Sequence, residues 1–93
     1  MKFNEIEDIF YKNQLLDKYN IERIGIFGSL ARGENGNDVD IFIEKPYKID
    51  DIIKLRDELE KLTLNNIDIM LEDYANPIVL YRAKKELKYV ERH

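Results

Sequence analysis

Residues 24–44, which read IGIFGSLARGENGNDVDIFIE, decide the fold of this chain. Two apolar, β-prone runs at 24–27 and 39–43 flank a turn that contains Gly28, Gly33 and Gly36. Glycine allows a turn the backbone conformations that close approach to a ligand requires. The stretch therefore predicts a strand, a glycine-flanked turn and a second strand that is entered through Asp38.

Polar side chains mark both ends of this turn. Ser29 follows Gly28 directly after the first strand, and Asp38 and Asp40 stand at the start of the second. Because alternate residues of a strand project from the same face, the two carboxylates share one side of the sheet. A small hydroxyl beside a glycine thus faces a pair of carboxylates across one tight loop. This combination suits a phosphate on one side and a hard divalent cation on the other.

The composition indicates a small acidic globule, and we expect residues 1–93 to form a single domain with 44% apolar residues. The net charge of −4 argues against a protein whose main task is to grip a nucleic-acid backbone. The absence of cysteine excludes disulfides and a cysteine-rich zinc site, and a single histidine argues against a Ser-His-Asp triad. No run approaches the roughly 18 apolar residues of a membrane helix, and the N-terminal residues lack the apolar core of a signal peptide. We therefore expect a cytoplasmic protein.

Hydrophobic periodicity predicts three helices. The first spans residues 4–19 and is closed by Asn20, and the second follows the second strand. Asn76 and Pro77 are a strong start signal for the third, which extends to about residue 90. The apolar stripes of the second and third helices are Ile52, Leu55, Leu59 and Leu62, and Leu80, Ala83, Leu87 and Val90.

Alternation over residues 67–71 predicts a third strand, so the element order is α-β-β-α-β-α. We therefore predict an α/β (α+β) fold in which a small mixed three-stranded sheet carries the helices. The helix between the second and third strands makes these two parallel. Asp68 points away from the face of Ile67 and Ile69, so beside the second strand it joins Asp38 and Asp40 on one surface. Three carboxylates there would repel one another, and a divalent metal resolves that repulsion.

Each short motif also has an alternative interpretation. Gly28 and Gly33 have the spacing of a P-loop, but the lysine and the hydroxyl residue that should follow are missing. The aspartate pair begins like an EF-hand loop, but Phe42 stands at the next oxygen position. Taken singly, each feature is more often a solvated turn or strand end. Asp40 and Asp68 nonetheless lie inside apolar runs, where a carboxylate is costly unless it is paired or binds a metal.

The end of the last predicted helix is basic. We interpret this charge as a complement to the helix dipole rather than as a nucleic-acid surface, because the whole chain is acidic. Tyr81, on the same helix, is predicted to pack. The basic residues are Lys84, Lys85, Lys88 and Arg92.

The compound motif resembles a family signature. Residues 28–33, GSLARG, are followed by DVD at 38–40. This resembles the G-S-x-A-R-G, short loop and S-D-x-D pattern of the minimal nucleotidyltransferases (MNT) of the DNA polymerase β-like superfamily, which carry a third aspartate in a later strand. Length and element order fit over essentially the whole chain. Asn37 replaces the usual serine, and the loop of eight residues between Ser29 and Asp38 is shorter than is common.

The resemblance implies roles for six residues. It implies ATP as substrate and Mg²⁺ as cofactor, with the metal bound by the catalytic aspartates. Gly28 and Ser29 would hold the phosphates of the nucleotide, and Arg32 would anchor the loop or reach phosphate. The catalytic and metal-binding carboxylates would be Asp38, Asp40 and Asp68.

The family also implies a partner. Small members are similar in being paired with a HEPN-domain protein, typically an RNase toxin, and in acting as its antitoxin by transferring AMP from ATP to a tyrosine. Because we expect a single domain, we also expect the acceptor or a second subunit to supply the surface that holds the second substrate. Two other hypotheses stay open: a non-catalytic binding module that neutralises a partner by contact, and, against the acidic charge, a nucleic-acid-binding protein.

Overall fold

The computed structural model describes residues 1–34 and 37–92, so the predicted conformational freedom of Gly36 lies outside the described residues. The described chain forms an α+β fold, as predicted. Its elements in order are α1 (Phe3–Lys12), α2 (Leu15–Lys18), β1 (Arg23–Phe27), β2 (Asp38–Ile43), α3 (Ile49–Thr63), β3 (Asn66–Leu71), a 3-10 turn (Glu72–Tyr74), α4 (Pro77–Lys84) and β4 (Lys88–Glu91).

The sheet has the order β3-β2-β1-β4. Strand β1 is antiparallel to both β2 and β4, whereas β2 and β3 are parallel. The predicted mixed sheet and the parallel neighbours β2 and β3 are confirmed. The predicted count of three strands was wrong, since the described residues contain a fourth strand on the free edge of β1.

This fourth strand replaces the end of the last predicted helix. Helix α4 ends at Lys84, and from Lys88 the chain pairs with β1, which places Val90 opposite Ile24 in the core. Residues 88–91 alternate between polar and apolar, but the same apolar residues also match a helical spacing, so local periodicity alone does not separate the two. Burial of Val90 against the edge of β1 favours the strand.

The two faces of the sheet have different partners. Helices α1, α2 and α3 pack on one face and form a single core with its apolar side chains. Because side chains alternate, the residues between those core positions point to the second face. Helix α4 lies against that second face, where Ala83 is buried. The core side chains of the sheet are Ile24, Ile26, Val39, Ile41, Ile43, Ile67 and Val90.

The predicted helix over residues 4–19 is broken into α1 and α2. Gln14 adopts a left-handed φ of 50°, and the Asn13 side-chain amide donates to the Ile9 carbonyl oxygen at 2.9 Å, which closes α1 early. Asn20 ends the helical segment as predicted, with a φ of 54°. Asparagine tolerates this conformation better than most residues.

Helix α4 begins where the sequence predicted, but Tyr81 on this helix is not packed as predicted. The Asn76 side chain accepts from the backbone N–H groups of Ile78 and Val79 at 2.9 and 3.4 Å, and Pro77 takes the first helical position. Tyr81 is 64% exposed, so the prediction that it packs was wrong. No helix within residues 1–34 and 37–92 is long and apolar enough to cross a membrane.

Candidate active site

Strand register aligns two of the predicted aspartates. Asp40 on β2 lies opposite Asp68 on the parallel strand β3 and opposite Phe27 on β1. Asp38 precedes Asp40 by one full pleat and projects from the same, second face of the sheet. Its Oδ1 accepts from the Asn66 side-chain amide at 3.2 Å. The pairing of β2 with β3 therefore brings all three carboxylates to one surface.

Asp40 has the most perturbed environment of the three. It is half-buried, and burial raises its pKa above the ordinary value, with further contributions from the negative charges of Asp68 and Asp38. The positive charge of Arg32 opposes this rise. Burial and nearby like charges disfavour the ionised form of Asp40, so its negative charge is unfavourable when no cation neutralises it.

The donor chemistry of this surface fits a hard divalent cation. All three candidate ligands are carboxylates on one side of the sheet, and oxygen ligands of this type bind Mg²⁺. Their spacing is open: in the described residues no group of three or more His, Asp or Glu side chains is gathered closely enough to hold a metal ion as it stands.

The turn after β1 approaches the carboxylates closely. Gly28 has a φ of +72°, and a Cβ added there would meet the carboxylate of Asp40. The turn is closed by backbone hydrogen bonds from Arg32 N–H to the Gly28 carbonyl at 3.2 Å and from Glu34 N–H to the Ser29 carbonyl at 2.9 Å. Glycine at position 28 thus meets two demands at once, a left-handed conformation and space for the catalytic candidate.

Glu86, between α4 and β4, is a site residue that sequence reasoning missed. Its Oε1 accepts from the Gly28 backbone N–H at 2.9 Å. The Arg32 guanidinium Nη1 donates to Oε2 at 3.2 Å and to Oε1 at 3.4 Å. Glu86 therefore occupies two of the groups that were expected to meet phosphate.

The sequence position of Glu86 indicates its place in the site only once residues 88–91 are recognised as strand β4. The register of β1 with β4 pairs Ile26 with Lys88 and Gly25 with Tyr89. Continued by two residues in each direction, this antiparallel register places Glu86 opposite Gly28. Because the last helix was predicted to run through this segment, the sequence analysis gave Glu86 no place in the site.

An open cavity of about 290 Å³ lies beside Asp40, between the sheet and α4. Phe27, Gly28 and Asp40 line it from the sheet side. From the other side it is lined by Val79, Arg82 and Ala83 of α4, and by Glu86.

The structure thus brings some of the six predicted site residues together but leaves Ser29 without a described contact to the aspartates. The backbone of Gly28 lies against the Asp40 carboxylate. The charges of Arg32, Asp38 and Asp68 act electrostatically on that carboxylate. Ser29 is half-buried in the turn, where its carbonyl closes the loop, and none of its described contacts joins it to the aspartates. The roles assigned to these residues stay predictions.

The fold is that of a nucleotidyltransferase. Residues 4–91 match the family model described as polymerase beta, nucleotidyltransferase, and the chain belongs to that family. The expectation of an enzyme of the nucleotidyltransferase class is thereby confirmed.

Two relatives that align with this chain over almost their whole length are named as protein adenylyltransferases. A protein of Methanocaldococcus jannaschii named as a protein adenylyltransferase, MJ0128, is 35% identical over 94% of this chain and 96% of its own length. The protein adenylyltransferase MntA of Thermococcus cleftensis is 29% identical over 97% of both chains.

Solved structures share the fold. A structure described as a minimal nucleotidyltransferase matches with a TM-score of 0.74, 22% identity and 95% coverage of both chains. A toxin–antitoxin structure with AMP-PNP matches with a TM-score of 0.70 and 20% identity over 98% of this chain and 75% of that one. A tri-AMPylated Shewanella oneidensis HEPN toxin in complex with its MNT antitoxin matches with a TM-score of 0.66 and 18% identity over 94% and 70%.

Proposed function

We propose that this protein transfers AMP from ATP to a tyrosine hydroxyl of a HEPN-domain toxin and thereby acts as its antitoxin. One observation carries the proposal: the register that sets Asp40 opposite Asp68, on a surface that the Gly28 turn closes at one side. The names of the relatives, protein adenylyltransferases, support the reaction type. The AMPylated HEPN toxin bound to a structural neighbour supports the partner.

The residues of this chain would act on the triphosphate and on the acceptor. The Gly28 N–H and the Arg32 guanidinium would bind phosphate oxygens once Glu86 has released them. A divalent cation held by Asp38, Asp40 and Asp68 would neutralise phosphate charge and stabilise the leaving pyrophosphate.

The acceptor hydroxyl oxygen would then form a bond to the α-phosphorus as the bond to pyrophosphate breaks. Asp68, exposed at the sheet edge, would receive the hydroxyl proton, since the described residues contain no histidine. The products are an AMP-modified protein and pyrophosphate.

The test uses ATP labelled at the α-phosphate, with Mg²⁺, the purified protein and the HEPN-domain partner, or a host lysate where no partner is known. Asp57→Asn is the matched control. Asp57 is exposed on α3, so this substitution removes the same charge at a position away from the site. We expect label on the partner with the native chain and with Asp57→Asn, and loss of label with Asp40→Asn. Transfer retained by Asp40→Asn refutes the assignment.

A second candidate function is neutralisation by contact alone. Its support is helix α4, where large apolar side chains are exposed: Ile78 by 66%, Tyr81 by 64% and Val79 by 48%. Apolar groups gathered on one element mark a protein-contact surface. If Asp40→Asn still inhibits the HEPN toxin while Tyr81→Ser does not, contact and not transfer is the antitoxin activity.

A further inference from the structure

Glu86 presents its carboxylate to the groups of the phosphate cradle. One oxygen receives the Gly28 backbone N–H at 2.9 Å, and both face Arg32 Nη1, at 3.2 and 3.4 Å. A backbone N–H combined with a guanidinium is the donor set that phosphate oxygens use. The carboxylate therefore makes, within the chain, the contacts that a nucleotide phosphate would make.

This contact forms in spite of unfavourable surroundings. Glu86 lines the same cavity as Asp40, and its negative charge adds to those that raise the pKa of Asp40. The Glu86 side chain is 29% exposed, whereas its partner Arg32 is 49% exposed. Gly28 and Arg32 thus hold a carboxylate close to a carboxylate that repels it, and a ligand that also binds a cation removes that repulsion.

We propose that Glu86 is an intramolecular competitor of the nucleotide: it occupies the Gly28 N–H and Arg32 in the free protein and sets the affinity for the triphosphate. The proposal rests on the proposed function, because it concerns the same phosphate cradle. The nucleotide must break three hydrogen bonds before its phosphates reach these donors, and this exchange weakens its apparent affinity.

Two substitutions remove the competitor to different degrees. Glu86→Gln keeps an acceptor oxygen but loses the charge, whereas Glu86→Ala removes both. Glu91→Gln is the control, because it removes the same charge from β4 at the opposite end of β1. There Glu91 lies opposite Arg23 in the strand register. The ligand is the α,β-methylene analogue of ATP with Mg²⁺, which cannot release pyrophosphate.

We expect the analogue to bind Glu86→Ala about three- to ten-fold more tightly than the native chain, with Glu86→Gln intermediate and Glu91→Gln unchanged. Thermal melting provides the second measurement. Without ligand, Glu86→Ala melts below the native chain because three contacts are lost, yet the analogue raises its Tm by a larger increment. Unchanged or weaker binding in both Glu86 variants overturns the proposal and makes Glu86 a support of the turn.

The outcome is separable from that of the proposed function. If the native chain binds the analogue but transfers no AMP, the proposed function fails while the Glu86 comparison still decides this proposal. If neither the native chain nor any variant binds the analogue, both are overturned.

Discussion

Asp40 and Asp68 stand directly opposite each other on the parallel strands β2 and β3. Their carboxylates project from the sheet face that faces α4 rather than from the core face. In the cation-free protein this arrangement opposes folding, since burial and like charge disfavour the ionised Asp40. A divalent cation bound between these carboxylates, as proposed above, would offset that cost.

Asp40→Asn is therefore expected to raise the Tm of the metal-free protein by a few degrees at neutral pH. Because folding raises the pKa of Asp40 above its ordinary value of 3.8, ionisation costs stability as the pH rises through the folded pKa. The Tm difference should therefore be small in acid and should grow toward neutral pH. Melting curves with a chelator, at several pH values, measure it.

Mg²⁺ should reverse this order. It is expected to raise the Tm of the native chain more than that of Asp40→Asn, because a cation stabilises the state that binds it. Asp57→Asn, which changes an exposed α3 residue, should behave like the native chain in both conditions. A native Tm that does not respond to Mg²⁺ up to millimolar concentrations would argue against the carboxylate cation site.

Gly28→Ala and Gly33→Ala form a matched pair. Both glycines have a left-handed φ, +72° and +80°, but only at Gly28 would the added methyl group meet the Asp40 carboxylate, whereas nothing lies within 4 Å at Gly33. Each substitution should lower the free energy of unfolding by about 1–2 kcal/mol through backbone strain. Only Gly28→Ala should also reduce AMP transfer, by about 100-fold, because it would displace the carboxylate that we propose as catalytic, and a small displacement of a reacting group costs about that much.

Denaturant titrations and transfer assays on both variants separate strain from crowding. Equal loss of transfer in the two variants would show that strain in the turn, and not contact with Asp40, limits the reaction.

Glu58→Gln tests the hydrogen bonds that join the end of α2 to α3. The Glu58 Oε1 accepts from Lys18 Nζ at 2.8 Å and from the Tyr19 hydroxyl at 2.6 Å, and these two bonds lower its pKa below the ordinary 4.5. We expect the substitution to reduce the free energy of unfolding by about 1 kcal/mol at pH 7. A lowered folded pKa confers stability that is complete above the unfolded pKa and is lost as the pH falls through the folded pKa.

The gap between the native chain and Glu58→Gln should accordingly close in acid, below about pH 4.5, as urea unfolding at pH 7 and in acid would show. Glu60→Gln, which loses only an exposed i,i+4 pair with Arg56, should change stability little at either pH. A gap that persists in acid would mean that the Glu58 hydrogen bonds do not depend on the carboxylate charge.

Leu59→Ala and Leu62→Ala test the depth of the α3 stripe. Leu59 is fully buried, whereas Leu62, predicted for the same stripe, is 41% exposed. Truncation of Leu59 should cost about 2–5 kcal/mol, and truncation of Leu62 less than about 1 kcal/mol. Chemical denaturation measures both, and similar costs would mean that Leu62 is covered in solution.

Much of the fold follows from local signals. The bounds of β2, the start of α4 at Asn76 and Pro77, and the helix end at Asn20 were predictable, because caps and turn residues act on the backbone within a few positions. The parallel pairing of β2 and β3 followed from the helix between them. The break at Gln14 carried no comparable signal.

The candidate site divides in the same way. Gly28, Ser29, Arg32, Asp38 and Asp40 lie within one short segment, so their motif was visible in the sequence. Asp68 required only the correct neighbour for β3. Glu86 and the cavity-lining Arg82 were not predicted, because their place depends on β4 and on the packing of α4 against the second face.

The sequence by itself thus determined the carboxylate-bearing strand, the glycine turn, the helix end at Asn20 and the start of α4, since each depends on residues close together in the chain. The tertiary structure alone decided that residues 88–91 form an edge strand, that Tyr81 is exposed, and that Glu86 reaches Gly28 across 58 positions. These depend on which surfaces are buried together, and a 3.6-residue apolar spacing is compatible with either outcome until β1 offers an unpaired edge.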